Sequence, residues 1–180
     1  MNLIIGLSGK RGVGKTTAAD TLVKDVRFIK RSLATKLKEI SSKIFPFGYD
    51  EIYGKDKESK FSSYEWTSRE FMIKLGEFIR YWDKDYFINE VINGVSTYKD
   101  SRIVIDDVRF INEAETVRKL GGVIIRINRY SNLNIYKTVI DHSSETELDN
   151  YKFDFTINEH QNVSLEDLRT NIRRCVSQLI

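Results

Sequence analysis

The fold turns on one stretch: Leu3-Ile4-Ile5-Gly6-Leu7-Ser8-Gly9-Lys10-Arg11-Gly12-Val13-Gly14-Lys15-Thr16-Thr17-Ala18-Ala19-Asp20. Leu3–Ser8 is apolar and short, the pattern of a buried strand. Lys15–Lys24 then sets Ala18, Ala19, Leu22 and Val23 on one helical face. Between them, Gly9–Thr16 fits G-x-x-x-x-G-K-[ST] at every position. Adjacent phosphates must be wrapped by amide N–H groups, and glycines let the backbone turn tightly enough to approach them. The helix that follows aims its positive end at the same charges. On this reading Gly9, Lys10, Arg11, Gly12, Val13, Gly14, Lys15, Thr16 and Thr17 bind a nucleoside triphosphate. Lys15 reaches the β- and γ-phosphates, and the Thr16 hydroxyl holds Mg²⁺.

Outward from the loop, strands and helices alternate. Phe28–Ser32, Arg102–Asp106, Val123–Ile127 and Phe153–Ile157 read as further strands. Ala34, Leu37, Ile40 and Ile44 mark a helix that Phe45-Pro46 ends. Lys55–Lys60 alternates in charge and reads as a solvated loop. Thr67-Ser68-Arg69-Glu70 is a capping box, with Phe71, Leu75, Ile79 and Trp82 on one face behind it. Asp85–Val95 and Asn112–Leu120 are helical, and Gly121-Gly122 breaks the latter. Ser164 caps a last helix with Leu165, Leu168, Ile172, Val176 and Leu179 as its stripe. The expectation is an α/β, three-layer P-loop fold: a mostly parallel sheet of about five strands, helices on both faces, and a small lid. One domain spans 1–180, with a helical region at about 34–98, which the resemblance given below makes the acceptor-binding part, and a lid at about 129–141.

Composition narrows the function. A formal charge of +3 falls short of the excess a dedicated nucleic-acid binder carries, and suits a small anionic substrate. No apolar run reaches membrane-spanning length. The lone Cys175 makes no internal disulfide and sits in an apolar helical stripe, as a small buried hydrophobe. The opening segment lacks a basic leader and reads as a strand, so a cytoplasmic location is expected, that of the host if the chain is viral. Monomer and homodimer both remain open.

Ligands on a parallel sheet sit at the carboxyl ends of its strands. Asp106-Asp107-Val108-Arg109 closes one strand there. A carboxylate at 106 or 107 can join the Mg²⁺ shell or orient an acceptor oxygen, and Arg109 can grip an anion with two parallel N–H bonds. Arg129 opens an irregular segment; a lid arginine and an ordinary loop charge fit it equally. By spacing alone Arg80 reads as a snorkelling surface arginine. His142 and His160 have no metal spacing, and a structural or lid-anchoring role suits His142 and Glu145. No N-K-x-D-like base-reading element of a GTPase is present, and a motor ATPase needs a longer chain.

Several runs together resemble the phage-type deoxynucleoside monophosphate kinases of the P-loop nucleoside monophosphate kinase superfamily. They are Leu7–Asp20, Leu33-Ala34-Thr35-Lys36-Leu37-Lys38-Glu39, Tyr53–Glu58 and Thr67–Glu70 with Leu75-Gly76 and Arg80. Asp107-Val108-Arg109-Phe110-Ile111-Asn112-Glu113-Ala114, His142-Ser143-Ser144-Glu145 and Asp154–Asn158 complete the set. The resemblance implies ATP as donor, Mg²⁺ as cofactor and a deoxynucleoside 5′-monophosphate as acceptor. It implies that Arg80 and Arg109 hold the acceptor's phosphate, with Lys38, Arg69 and Glu145 also on the acceptor side. It places Asp107 near the metal and makes Arg129 a lid arginine, catalytic with Lys15, Asp107 and Arg109. The chain departs from these relatives at Glu77 and Tyr130, where they often carry threonine and proline. Two alternatives stand beside this reading: a P-loop kinase of another phosphorylated metabolite, such as dephospho-coenzyme A or phosphomevalonate, and a nucleotide-binding regulatory protein without transfer activity.

Overall fold

The computed structural model describes residues 3–54, 56–61, 64–95, 101–129, 142–159 and 164–180. In chain order the elements are β1 (Leu3–Ser8), α1 (Lys15–Val26), β2 (Ile29–Arg31), α2 (Ala34–Ile44) and α3 (Tyr49–Ile52). A 3₁₀ turn (Asp56–Glu58), α4 (Ser68–Trp82), α5 (Tyr86–Val95) and β3 (Arg102–Ile105) follow. The last are α6 (Ile111–Lys119), β4 (Val123–Arg129), α7 (Ser143–Thr146), β5 (Phe155–Glu159) and α8 (Leu165–Ser177). Two compact units form: Met1–Ser32 with Val95–Ile180, and Leu33–Gly94.

The first unit is a five-stranded sheet in the order β2-β3-β1-β4-β5, parallel throughout. A parallel sheet is covered on both faces, so its strands read as apolar runs rather than alternations. Ile103, Val104 and Ile105 are fully buried in sequence, as are Ile124 and Ile125. On one face Ile5, Leu7, Val104, Ile125 and Ile127 meet Ala18, Ala19 and Leu22 of α1 and Leu168, Ile172 and Val176 of α8. Each large side chain buried here is worth about 1.5–3 kcal/mol. On the other face α6 brings Val117 toward Gly6, where Ile124 and Val108 leave no room for a Cβ. The helix after β1 therefore lies on one face and the helix after β3 on the other. Since β1 and β3 are neighbours, a crevice opens between their carboxyl ends, the switch point at which such sheets bind ligands.

The second unit is helical. α2 packs on α4, and Leu37 lies against Gly76. The capping box forms: Thr67 Oγ1 accepts from the Glu70 amide at 3.1 Å and Glu70 Oε2 from the Thr67 amide at 2.7 Å. Phe45, Phe47, Phe61, Tyr64, Trp66 and Phe71 form one ring cluster, mostly edge-on or tilted, which closes the segment between α2 and α4.

Some elements differ from the sequence reading. β4 runs on through Arg129, because its polar end pairs by backbone with β5. β5 begins at Phe155, two residues later than expected, with the same alternation. Trp82 and Leu165 are exposed: each stands at a helix end, past the last packed turn. Tyr49–Ile52 is a short helix that no apolar period announced. Cys175 is buried, and burial pushes its thiol up to about 11. Among the described residues, no helix is long and apolar enough to cross a membrane.

Candidate functional site

The loop between β1 and α1 is built as its glycines require. Gly9 has φ +153°, and a Cβ there would lie 2.5 Å from the Ile127 carbonyl. Gly14 has φ +105°, and a Cβ would collide with Leu168. Both positions exclude other residues by conformation and by space. Val13 plugs into the core and fixes the loop's middle, while Gly12 and Thr16 face solvent.

Lys15 is the first residue of α1 and is buried. Its Nζ donates to the Gly9 carbonyl at 2.6 Å and the Lys10 carbonyl at 2.8 Å. Burial, reinforced by the Arg109 charge, lowers its pKa to about 8, against the opposing pull of Glu145 and Asp107. Lys15, Asp107, Arg109 and Glu145 thus share one electrostatic site at the carboxyl ends of β1 and β3.

After β3, the Val108 amide donates to the Leu7 carbonyl at 3.1 Å and pins the turn to β1. Asp106 pairs with Lys30 at 3.2 Å, and Lys30 also pairs with Asp20 at 2.8 Å. Burial, with the neighbouring Asp107 charge, raises the Asp106 carboxyl above the usual range. Asp107 instead accepts from the Ser32 hydroxyl at 2.8 Å. Asp106 is thus paired with Lys30, and Asp107 is one of the charges that act on Lys15. Buried Glu113 accepts from the Arg109 and Phe110 amides at 2.8 and 3.1 Å, which sets the turn into α6.

Residues 142–149 brace the loop. His142 Nδ1 accepts from the Ser144 amide at 3.1 Å, so the histidine caps α7. Glu145 pairs through Oε1 with Arg109 Nη1, and its Oε2 accepts from the Arg11 amide at 3.0 Å. Burial works to raise the Glu145 carboxyl, but the charge and hydrogen bond of Arg109 outweigh it and hold it below the usual range. Lys10 Nζ donates to the Glu145 carbonyl and to Asp149, both at 2.6 Å. Asp149 also accepts from Arg126 at 3.0 Å, and Arg126 reaches the Ser8 hydroxyl at 3.2 Å. Arg126, Asp149 and Ser32 were not among the sequence candidates. The signal for Arg126 was a charge set inside the apolar run Val123–Ile127.

Arg129 is exposed at the end of β4, in register with Glu159. The rest of the expected lid, 130–141, lies outside the described residues. Lys38, Arg69 and Arg80 belong to the helical unit. Lys38 Nζ sits 4.8 Å above the Tyr53 ring, and Arg69 pairs with Glu58. The Arg80 guanidinium stacks 4.5 Å from the Phe87 ring centre.

No group of three His, Cys, Asp or Glu side chains among the described residues makes a metal site by itself. The Thr16 hydroxyl and the Asp107 carboxylate are hard oxygen donors, and such a sparse set suits Mg²⁺, which draws its other ligands from phosphates and water. A glycine loop that opens a helix, a buried lysine, and an arginine and carboxylates within its electrostatic reach are groups that phosphoryl transfer can use.

No protein-family model matches the chain. It is 30% identical, over 194 aligned positions, to a protein of Acanthamoeba polyphaga mimivirus provisionally named a deoxynucleotide monophosphate kinase; the match covers 97% of this chain and 96% of the relative. Among solved structures it resembles TT1252 of Thermus thermophilus (TM-score 0.59, 14% identity, 99% and 98% of the two chains). It also resembles the dephospho-CoA kinase of Campylobacter jejuni (0.51, 12% identity, 98% and 97%) and the shikimate kinase of Aquifex aeolicus (0.50, 14% identity, 98% and 97%). These structures share the parallel-sheet fold, and the viral relative carries the finer assignment. The chain is a P-loop kinase and belongs to the deoxynucleotide monophosphate kinase family.

Proposed function

We propose that the protein transfers the γ-phosphoryl group of ATP to a deoxynucleoside 5′-monophosphate, giving the diphosphate and ADP. The observation that supports this reading is that two cations, Lys15 of the loop and Arg109 of the turn after β3, act on one another at the carboxyl ends of β1 and β3. A kinase that joins two phosphorylated substrates needs a cation for each, because bringing two anions together in a dry site costs Coulomb energy.

Lys15 leaves the Gly9 and Lys10 carbonyls to meet the β- and γ-phosphates, and the loop amides take the rest of their charge. Thr16 and Asp107 would hold Mg²⁺, which neutralises phosphate charge when bound. Arg109 holds the acceptor's monophosphate. By their motif positions in the sequence, Arg80 is assigned the same role, with Lys38 and Arg69 as further acceptor contacts. Arg129 neutralises charge from the lid. Catalysis here is positioning and electrostatics, with little call on a general base.

The test is steady-state kinetics with ATP–Mg²⁺ and each of the four deoxynucleoside monophosphates. Arg109→Ala and Arg80→Ala are expected to raise the acceptor KM or lower kcat by about tenfold or more each, the scale of losing a charge-assisted contact. Unchanged kcat/KM for the acceptor in both variants overturns the acceptor assignment.

A further inference from the structure

Glu145 joins the turn after β3 to the loop between β1 and α1. One carboxylate oxygen is held by the Arg109 guanidinium and the other by the Arg11 amide of the phosphate loop. Its carbonyl is held by Lys10 of the same loop. The hydrogen bonds of the Arg109 guanidinium to the described residues all run through Nη1, to Glu145 and to the Ser144 carbonyl at 3.2 Å. The Nε–Nη2 edge of the fork is thereby turned away from Glu145. That edge has the two parallel N–H bonds that match a phosphate.

We infer that Glu145 is a positioning residue: it fixes Arg109 by one guanidinium nitrogen so that the opposite edge is presented to the acceptor's phosphate, at a set distance from the ATP loop. The assignment rests on the function proposed above. Three features make the brace rigid. The His142 cap fixes the start of α7. Glu147 accepts from the Ile111 amide at 2.9 Å and ties the same segment to α6. Asp149 bridges Lys10 and buried Arg126, which is bonded in turn to Ser8 at the end of β1. Loop and arginine are thus both referenced to one short segment. An arginine with free torsions pays rotamer entropy when it grips a ligand, and one held beforehand pays less.

Two measurements test this in the full chain. The first is the side-chain NMR signature of Arg109 without ligand. Wild type is expected to show restricted guanidinium rotation, and Glu145→Ala fast averaging; identical averaging in both overturns the inference whatever the enzyme's activity. The second is a kinetic double-mutant cycle with the deoxynucleoside monophosphate that wild type turns over best. Glu145→Ala is expected to raise the acceptor KM by about ten- to a hundredfold with a far smaller change in the ATP KM. Added to Arg109→Ala it should have no further effect on the acceptor, whereas additive losses overturn the coupling. Glu145→Gln, which keeps an acceptor oxygen, should recover part of the loss, and a Gln variant as impaired as Ala counts against orientation by hydrogen bonding. If wild type turns over no deoxynucleoside monophosphate, the functional reading falls, and the NMR comparison still decides the brace.

Discussion

At the scale of single residues, Lys15 connects burial to function most directly. The loop buries its ammonium against two carbonyls, and burial lowers its pKa from 10.5 to about 8. A bound triphosphate favours the charged form, so its pKa must rise on binding. The free protein therefore loses the Lys15 proton as pH climbs through about 8, while the complex keeps it. ATP binding should take up about half a proton at pH 8 and almost none at pH 6.5. Affinity should weaken as pH rises through 8. Calorimetry in buffers of different ionisation enthalpy measures the uptake, and a buffer-independent enthalpy at pH 8 contradicts it. The sequence picked out Lys15 and Thr16 by the loop motif's spacing and Arg109 by its place at a strand's carboxyl end, and the structure puts Lys15 and Arg109 within electrostatic reach of each other. The link from Lys10 to Asp149 was not legible in the sequence, because 139 residues separate them and only folding makes them neighbours.

At the scale of elements, α4 shows what a pattern reveals and hides. Its start was legible, since a capping box is local chemistry. Thr67→Ala should cost about 1 kcal/mol of stability, read as a shift in the urea midpoint. The role of Gly76 was not legible, because it depends on a side chain one turn away and on another helix. A Cβ at 76 would lie 3.0 Å from Arg80 Nη1 and 3.5 Å from Leu37. The nearer atom is the tip of a flexible side chain, so the helix tolerates alanine and gains about 1 kcal/mol in propensity. Arg80 has to shift to make room. Gly76→Ala should therefore keep or raise the Tm while raising the acceptor KM several-fold. A lowered Tm with unchanged KM contradicts that account. The same distinction explains β4: its apolar middle was visible, but the extension to Arg129 rests on backbone pairing with β5, which leaves no mark on side-chain pattern.

At the scale of the whole molecule, the alternation of strands and helices was enough to expect a parallel sheet with ligands at its carboxyl edge. The strand order was not legible. It follows from which face each crossover helix covers, and α1 and α6 are amphipathic alike. That order is what puts the turn after β3 beside the phosphate loop. The helical unit Leu33–Gly94 is one continuous stretch between β2 and β3, and it carries Lys38, Arg69 and Arg80. The central claim is transfer between two nucleotides. The most direct measurement is ³¹P NMR of the protein with ATP, Mg²⁺ and each deoxynucleoside monophosphate in turn. The account predicts a deoxynucleoside diphosphate formed one for one with ADP, and no comparable ADP without acceptor. ADP released at the same rate with and without every deoxynucleoside monophosphate, with inorganic phosphate as the other product, would contradict it.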